Sequence, residues 1–311
     1  MKNNIMFEQL ENREMLDGNI LVVLSHGVLT LQGDNASNIV SVKVAGSNVV
    51  VEPDDYTNIG SGPGVSKIYH GIIKSIRANL GNGDNVISIS GDTSTGNTLS
   101  MNGDISIKAG RGNDMVDVMG VKCHNLNVSL GNGYNSILLH SMDWGTKDIR
   151  PVISGNFNYT GGVGDNEVLF SGVKVGGNVI INLGDSQPSI GDEQVSAVQF
   201  QPSSLSNEIG GNLKITGGKG SESIIFDNLH DQSKMGTTVG KNVVIDLKGG
   251  TDDVLVGDKA NLSVGGSLTV EGKGGTKYVN TGKAIVKKNS HIILNAQIVD
   301  ALNFPNLDEG V

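Results

Sequence analysis

The sequence predicts an all-β fold, a right-handed parallel β-helix with three short strands per coil, about eight to ten coils and an N-terminal β cap. Three observations favour this fold. A unit of strand, glycine-rich turn and second strand returns between residues 76 and 281, its strands alternate apolar and polar residues, and helical periodicity is absent there. Alternation puts every second side chain on one face of a strand. Repeats of about 20 to 50 residues are typical of solenoids, whose units bury their apolar faces against each other.

The first strands of the repeats align on one apolar residue, which recurs every 21 to 34 positions. The column reads Ile76, Ile105, Leu126, Phe157, Val179, Leu213, Val243 and Leu268. Residues that occupy the same place in successive coils of a solenoid stack directly above one another. We therefore expect Ile105, Leu126, Phe157 and Val179 to lie in neighbouring, hydrogen-bonded strands.

Glycines mark the turn after each first strand, as in Gly110-Arg111-Gly112 and Gly131-Asn132-Gly133. Tight turns favour glycine because it adopts positive φ at little cost. A second inward pair follows the turn at a fixed distance, and a third apolar column precedes the next repeat, at Ile72, Met101, Ile153, Val175, Ile209, Val239 and Val264. The repeat that starts at Val179 departs from the pattern, and we expect Ile190 alone to represent its second strand.

Asparagine or aspartate precedes most first strands, in a column of Asp104, Asn125, Asn156, Asn178, Asn212, Asn242 and Ser267. Such side chains bond to nearby backbone groups or stack on the same residue one coil above. The column predicts a structural ladder, with a carboxamide binding strip as the alternative. Cys123, beside Asn125, is expected to be a small buried residue.

Composition argues against several functional classes. The net charge of −9 and the lack of a basic run argue against nucleic acid as a partner. Aromatic residues make up 4% of the chain, too few for a large stacking platform. One cysteine permits no internal disulfide. No apolar run reaches the roughly 18 residues that a membrane-spanning helix requires, so no transmembrane segment is predicted.

Four segments follow from these patterns: residues 1–18, a β cap with its connecting loop at 19–71, the β-helix at 72–299, and a tail at 300–311. The run Phe7–Leu16 resembles the LEPR-type N-terminal segment of large bacterial surface and secreted proteins, with Leu10, Glu11, Arg13 and Leu16 matching and Asn12 in place of the commoner proline. That family often carries glycine-rich β repeats. The resemblance implies export to a bacterial cell surface or the extracellular space. The alternative is a solvated helix that caps the solenoid.

The glycine-rich turns also resemble the calcium-binding repeats of RTX proteins, and Gly110–Val116 is the nearest local match. The resemblance implies a calcium-stabilised solenoid in which Asp114, Asp165, Asp252 and Asp253 supply carboxylate oxygens. RTX turns recur every nine residues, whereas these turns lie 21 to 34 residues apart. Asparagine-rich structural turns that hold no cofactor are the alternative.

Catalysis is considered because β-helices host many polysaccharide lyases and hydrolases. Asp246 and Glu271 occupy one outward column in adjacent repeats, and paired carboxylates perform acid/base chemistry when the pKa of one is raised. No arginine or histidine joins them from the same strand. A solvated surface pair is the simpler interpretation.

The long loops between strands are a second place for function, because they leave the same corner of the coil. The single tryptophan, Trp144, lies in one of them between Asp143 and Asp148. A tryptophan beside acids stacks on a sugar ring or anchors a protein partner, or else folds back onto the solenoid. An outward stripe that includes Leu138, Leu169, Gly191, Ile225 and Leu255 is expected to lie beneath these loops.

The sequence therefore predicts a non-catalytic structural or adhesive surface module with a glycan or a surface protein as partner. A polysaccharide-processing enzyme and a calcium-stabilised repeat protein are the two alternatives.

Overall fold

The computed structural model describes residues 18–54, 56–60, 64–92, 94–144, 147–186, 195–202, 204–227, 235–256, 261–280 and 284–298. Within these ranges the chain is all-β and contains no helix. It follows that no helix of this part is long and apolar enough to cross a membrane. The LEPR-like run Phe7–Leu16 and the C-terminal tail lie outside the described residues.

The first strands of the repeats form one continuous parallel stack, here called the first stack. Ile105 pairs with Leu126, Leu126 with Phe157, and Phe157 with Val179, so the predicted register is confirmed. The stack comprises Val28–Gln32, Ser75–Asn79, Ile105–Lys108, Leu126–Ser129, Phe157–Thr160, Val179–Asn182, Leu213–Thr216, Val243–Leu247, Leu268–Asn280 and Ser290–Ile298.

A second stack is formed by the strands that follow the glycine-rich turns. Its members are Ile39–Ala45, Val86–Ser90, Met115–Met119, Asn135–His140, Asn166–Ser171, Val195–Phe200, Ser221–Phe226 and Thr251–Val256. Both stacks belong to one sheet of 21 strands, since Leu268–Asn280 pairs in parallel with a strand of each.

The third stack is a separate sheet of eight short parallel strands. Its members are Leu99–Ser100, Val121–Cys123, Val152–Ile153, Lys174–Val175, Asn207–Ile209, Thr237–Val239, Leu262–Val264 and Ala284–Val286. The inward residues of the three stacks form one hydrophobic core, and Cys123 is part of it, as expected. Long parallel sheets around a shared core are the arrangement that a β-solenoid requires.

Aromatic rings stack inside the middle of this core. Phe170 lies on Phe200 with ring centroids 4.8 Å apart, and Phe200 lies on Phe226 at 4.6 Å. Phe157 meets Phe170 edge-on at 5.3 Å. Aromatic pairs in these geometries add about 0.5–1.5 kcal/mol each beyond the burial of their surface. The register of the second stack thus aligns identical residues as well as backbones.

Glycine is required in the turns because successive turns lie on top of one another. A Cβ atom on Gly131 would lie 1.6 Å from the carbonyl oxygen of Gly110 in the preceding repeat. Gly133, in the same turn, has a φ of +141°. The glycine columns of the sequence therefore record the close approach of one turn to the next.

The N-terminal end combines hairpins with the parallel stacking. Leu21–Ser25 pairs antiparallel with Val28–Gln32, and Asn48–Pro53 pairs antiparallel with both Ile39–Ala45 and Lys67–His70. Val28–Gln32 also pairs in parallel with Ser75–Asn79, so stacking begins ahead of residue 72. Tyr69 donates a hydrogen bond from its hydroxyl to the carbonyl of Val22 at 3.2 Å. The remaining short strands are Gly18–Asn19, paired with Thr57–Asn58, and Met142–Trp144, paired with Lys147–Ile149.

Two details of the predicted columns are wrong. Ile72 is 80% exposed, and its neighbour Ile73 is buried instead. In the repeat that starts at Val179, the second strand is Val195–Phe200, with Val198 and Phe200 inward. Gln199, not Gly191, therefore lies between Leu169 and Ile225 on the outer face. A longer insertion after the turn displaced the motif from its expected spacing.

Candidate functional site

A column of polar side chains lines the interior where the second stack begins, and we call it the inner ladder. Each member is at most 1% exposed: Asn38, Asn85, Asp114, Asn135, Asn166, Ser196, Glu222 and Asp252. At most steps the backbone N–H of one repeat donates to the side-chain oxygen of the next, whereas Asn135 N donates to the backbone carbonyl of Asp165. Asn85 N lies 3.2 Å from Asp114 Oδ1, and Asp114 N lies 3.2 Å from Asn135 Oδ1.

The amides of the inner ladder also fasten the turns. Asn135 Nδ2 donates to the carbonyl of Gly131 at 2.8 Å, and Asn166 Nδ2 donates to that of Gly164 at 2.9 Å. Buried carbonyls of a tight turn need such donors, because an unpaired buried polar group is costly. The inner ladder therefore supplies hydrogen-bond donors to the turn carbonyls and also links adjacent repeats.

An outer ladder runs along the column before the first stack, as the sequence predicted. Here the backbone N–H donates to the side-chain oxygen of the preceding repeat, the opposite direction to the inner ladder. Asn156 N lies 2.8 Å from Asn125 Oδ1, and the series continues through Asn178, Asn212, Asn242 and Ser267. These amide oxygens are engaged within the protein, which supports the structural interpretation over a binding strip.

The four aspartates considered for calcium lie in different environments. Asp114 and Asp252 are members of the inner ladder, whereas Asp253 points outward and is exposed. Asp165 precedes Asn166 in its turn and is 5% exposed, and burial raises the pKa of its carboxyl. Among the described residues, no three His, Cys, Asp or Glu side chains form a group that could hold a metal ion.

Asp246 and Glu271 lie directly opposite each other on neighbouring strands of the first stack. Both are partly exposed, and Thr216 is the partner of Asp246 on the other side. His291 pairs with Thr269 in the next strand, two positions from the site that faces Glu271. Sequence reasoning missed this placement, because the aligned column of first strands ends at Leu268 and does not include the strand of His291. The side chain of His291 lies outside the described part of the chain.

Trp144 lies in a short hairpin between the second and third stacks. Met142–Trp144 pairs antiparallel with Lys147–Ile149, which places Asp143 opposite Asp148 and Trp144 opposite Lys147. The backbone thus brings together the three residues that the sequence singled out. Their side chains are outside the part of the structure that is described.

A histidine–aspartate pair that the sequence did not reveal lies on the outer face of the second stack. His140 Nε2 lies 2.9 Å from Asp117 Oδ1, and Ser88 Oγ donates to Asp117 Oδ2 at 3.3 Å. The hydrogen bond to Asp117 raises the pKa of His140. In a serine-hydrolase triad the serine hydroxyl donates a hydrogen bond to the histidine, which then takes the proton. Here the Ser88 hydroxyl donates its hydrogen bond to the Asp117 carboxylate instead. When His140 is protonated, the arrangement is an ion pair whose carboxylate also accepts a hydrogen bond from Ser88.

The register explains why this pair was missed. Asp117 pairs with Leu138, and His140 pairs with Met119, so the two side chains approach diagonally across adjacent strands. His140 is the last residue of strand Asn135–His140. The two residues share one face of the sheet because they sit two positions apart in register.

A cleft of about 750 Å³ lies on the outer face of the first stack near its N-terminal end. Its polar lining consists of Thr30, Gln32, Ser75, Arg77, Asn79, Asp104, Ser106, Lys108 and Asn127. The cleft crosses four adjacent strands of the stack. Apart from Asp104, it is built from outward positions that the sequence patterns did not single out.

Comparisons of the chain with protein-family models, with curated proteins and with solved structures find no match. Inference about function therefore rests on the geometry of these surfaces.

Proposed function

We propose that this chain is a non-catalytic structural or adhesive module of a bacterial cell surface. The observation that supports this proposal is how its polar groups are used. Two ladders link repeat to repeat, and outward amides do the same, as where Asn158 Nδ2 donates to Asn127 Oδ1 at 2.8 Å. Groups held in this way stabilise a scaffold but are not free to transfer protons to a substrate.

The finer architecture that we propose is a right-handed parallel β-helix with three strands per coil. Three parallel stacks around one core support it, with one strand of each stack in most repeats. Crossover connections between parallel strands are right-handed in nearly all proteins. Export to the cell surface is proposed from the LEPR-like run Phe7–Leu16.

Recognition, in this proposal, takes place at the Trp144 hairpin, with a glycan or a neighbouring surface protein as partner. The hairpin extends from the end of Asn135–His140, and its strands pair with each other rather than with a stack. Loops on a rigid scaffold commonly carry binding residues. Asp143 precedes Trp144 and pairs with Asp148, so the backbone of the hairpin places two acidic residues next to the tryptophan.

The proposal is tested by measuring how strongly the purified wild-type protein, Trp144→Ala and Tyr134→Ala bind to a glycan array and to cells. Tyr134 is an aromatic residue on the outer face that is 55% exposed, so it controls for general aromatic stickiness. We expect specific binding that Trp144→Ala reduces about tenfold or more, as for a central aromatic anchor. Binding that is insensitive to Trp144→Ala would remove the hairpin from the proposal.

An enzyme that processes polysaccharides is the second candidate, favoured by the direct pairing of Asp246 with Glu271. The test is release of reducing ends or unsaturated products from acidic and neutral polysaccharides, with Asp246→Asn/Glu271→Gln as the variant. We expect no product from either protein. Product formation that this variant abolishes would replace the non-catalytic proposal.

A further inference from the structure

We propose that the cleft on the first stack is a binding site for an acidic oligosaccharide, with Arg77 and Lys108 holding its carboxylates. This inference concerns a different surface from the Trp144 hairpin. It stands whether or not that hairpin binds a partner.

The charge of the cleft is the first reason for this assignment. The chain as a whole carries a net charge of −9. Arg77 and Lys108 nevertheless lie on adjacent strands, since Arg77 pairs with Ser106 and Lys108 pairs with Asn79. Both side chains are exposed, and neither forms an ion pair within the described part of the chain. Two cations beside one depression, neither in an ion pair among the described residues, form a place for an external anion.

The geometry of the pair suits a carboxylated ligand. The cations lie diagonally, one strand and two residues apart, and neighbouring strands are about 4.8 Å apart. The planar guanidinium of arginine matches a carboxylate with two parallel hydrogen bonds, while lysine adds a point charge on a flexible stem. Together they can engage two anionic groups along an extended chain that crosses the strands.

The remaining lining decides between a saccharide and an acidic peptide. Outward side chains here are hydroxyls and amides, from Thr30, Gln32, Asn79, Ser106 and Asn127. Such groups are both donors and acceptors, as sugar hydroxyls are. A peptide of acidic residues presents carboxylates and backbone amides but few hydroxyls, so it matches the two cations but fewer of the hydroxyls and amides of this lining. A saccharide therefore fits the cleft better.

One carboxylate also lines the cleft, and it is already engaged. Asp104 Oδ1 accepts hydrogen bonds from the backbone N–H of Asn125 at 3.0 Å and from Asn125 Nδ2 at 2.9 Å. His124 Nδ1 lies 3.1 Å from the same oxygen. Asp104 starts the outer ladder, so its position is set by the scaffold.

Calorimetric titration with a hexamer of uronic acid tests the assignment, compared with maltohexaose and hexaglutamate. The test variant is Arg77→Gln/Lys108→Gln. The matched control is Lys214→Gln, because Lys214 is an exposed outward lysine of the same stack, five strands from Arg77 and therefore about 24 Å away. Circular dichroism and thermal unfolding check that each variant keeps the fold.

We expect the wild-type protein and Lys214→Gln to bind the uronate hexamer with affinities within about twofold of each other, and added salt to weaken both. The double variant should lose about tenfold or more in affinity. The assignment is overturned if the wild type does not bind the hexamer, if maltohexaose or hexaglutamate binds equally well, if the double variant binds unchanged, or if Lys214→Gln loses as much affinity.

Discussion

Asp114 Oδ1 accepts two hydrogen bonds from Asn85, one from the backbone N–H at 3.2 Å and one from Nδ2 at 2.8 Å. Its other oxygen, Oδ2, is buried without a hydrogen-bond partner among the described residues. In the neighbouring repeats the matching atom is an amide nitrogen, which donates to turn carbonyls. Asp114 thus places an acceptor where Asn85 and Asn135, its neighbours in the inner ladder, have a donor. Burial accordingly raises its pKa to about 6.

Replacing Asp114 with asparagine should stabilise the protein at neutral pH. The folded-state pKa lies above the ordinary value of 3.8, so protonation favours the folded state. This stability is fully present below the ordinary value and is lost as pH rises through about 6. A rise in pKa of that size corresponds to about 3 kcal/mol. We expect Asp114→Asn to gain about 1–3 kcal/mol in urea unfolding at pH 7.5 and much less at pH 4.

Asn135→Asp is the matched reversal, because it places a second carboxylate in the next position of the same ladder. It should destabilise the protein at pH 7.5 and have a smaller effect at pH 4. If Asp114→Asn were destabilising at pH 7.5, and the wild-type melting temperature fell in EDTA, Asp114 would be acting as a cation ligand instead.

The His140–Asp117 pair should make a pH-dependent contribution in the same direction. The pKa of His140 is raised, so the stability from this pair is present below the ordinary histidine value and is lost as pH rises through the raised value. NMR titration of His140 in the wild type should give a pKa above 6.5. Asp117→Asn should lower it, because the anionic acceptor is lost. Ser88→Ala, which removes a neutral partner of Asp117, should change it little; equal shifts in both variants would contradict this account.

Truncating Phe200 should be among the most destabilising changes in the core. Its ring lies between those of Phe170 and Phe226 and is fully buried. Phe200→Ala leaves a cavity between two stacked rings and should cost about 3–5 kcal/mol in unfolding free energy. Phe200→Leu keeps most of the volume and should cost clearly less. Similar costs for the two variants would show that the stacked rings do not pack as described.

Two glycine substitutions separate steric contact between turns from backbone strain. Gly131→Ala forces a Cβ against the Gly110 carbonyl, so the contact between two repeats must open. Gly46 has a φ of +63° and open space around it, so Gly46→Ala strains the backbone alone. We expect Gly46→Ala to cost about 1–2 kcal/mol and Gly131→Ala to cost more, measured by chemical unfolding. The reverse order would mean that the turns are not in close contact.

Much of the fold was predictable because its signal is periodic. The register of Ile105 with Leu126 follows from alternation and from the glycine turns, which fix where each strand begins. The outer ladder was predictable for the same reason. The second strand of this repeat, Val195–Phe200, was expected too early in the sequence, because the segment after Asn182 is longer than the matching segment of other repeats. No local sequence signal marks where this second strand begins.

The candidate surfaces were less predictable, because they depend on which outward residues meet across strands. Asp246 and Glu271 could be paired by counting within one column. The contact between His140 and Asp117 runs diagonally across two strands, and the cleft is lined by residues of four strands. Neither feature can therefore be predicted from the sequence alone. Packing in the core does not restrict which residue types occupy outward positions. These positions therefore show no sequence pattern from which either surface could be predicted.

Pulsed electron paramagnetic resonance tests the stacking of repeats most directly. Gln32, Thr160, Thr216 and Glu271 occupy one outward column of the first stack, at steps of four, six and eight strands from Gln32. Spin labels at residue 32 and at each of the others, in a Cys123→Ala background, should be about 19, 29 and 38 Å apart. Distances that do not increase in that order, by a constant step per strand, would contradict the stacked arrangement.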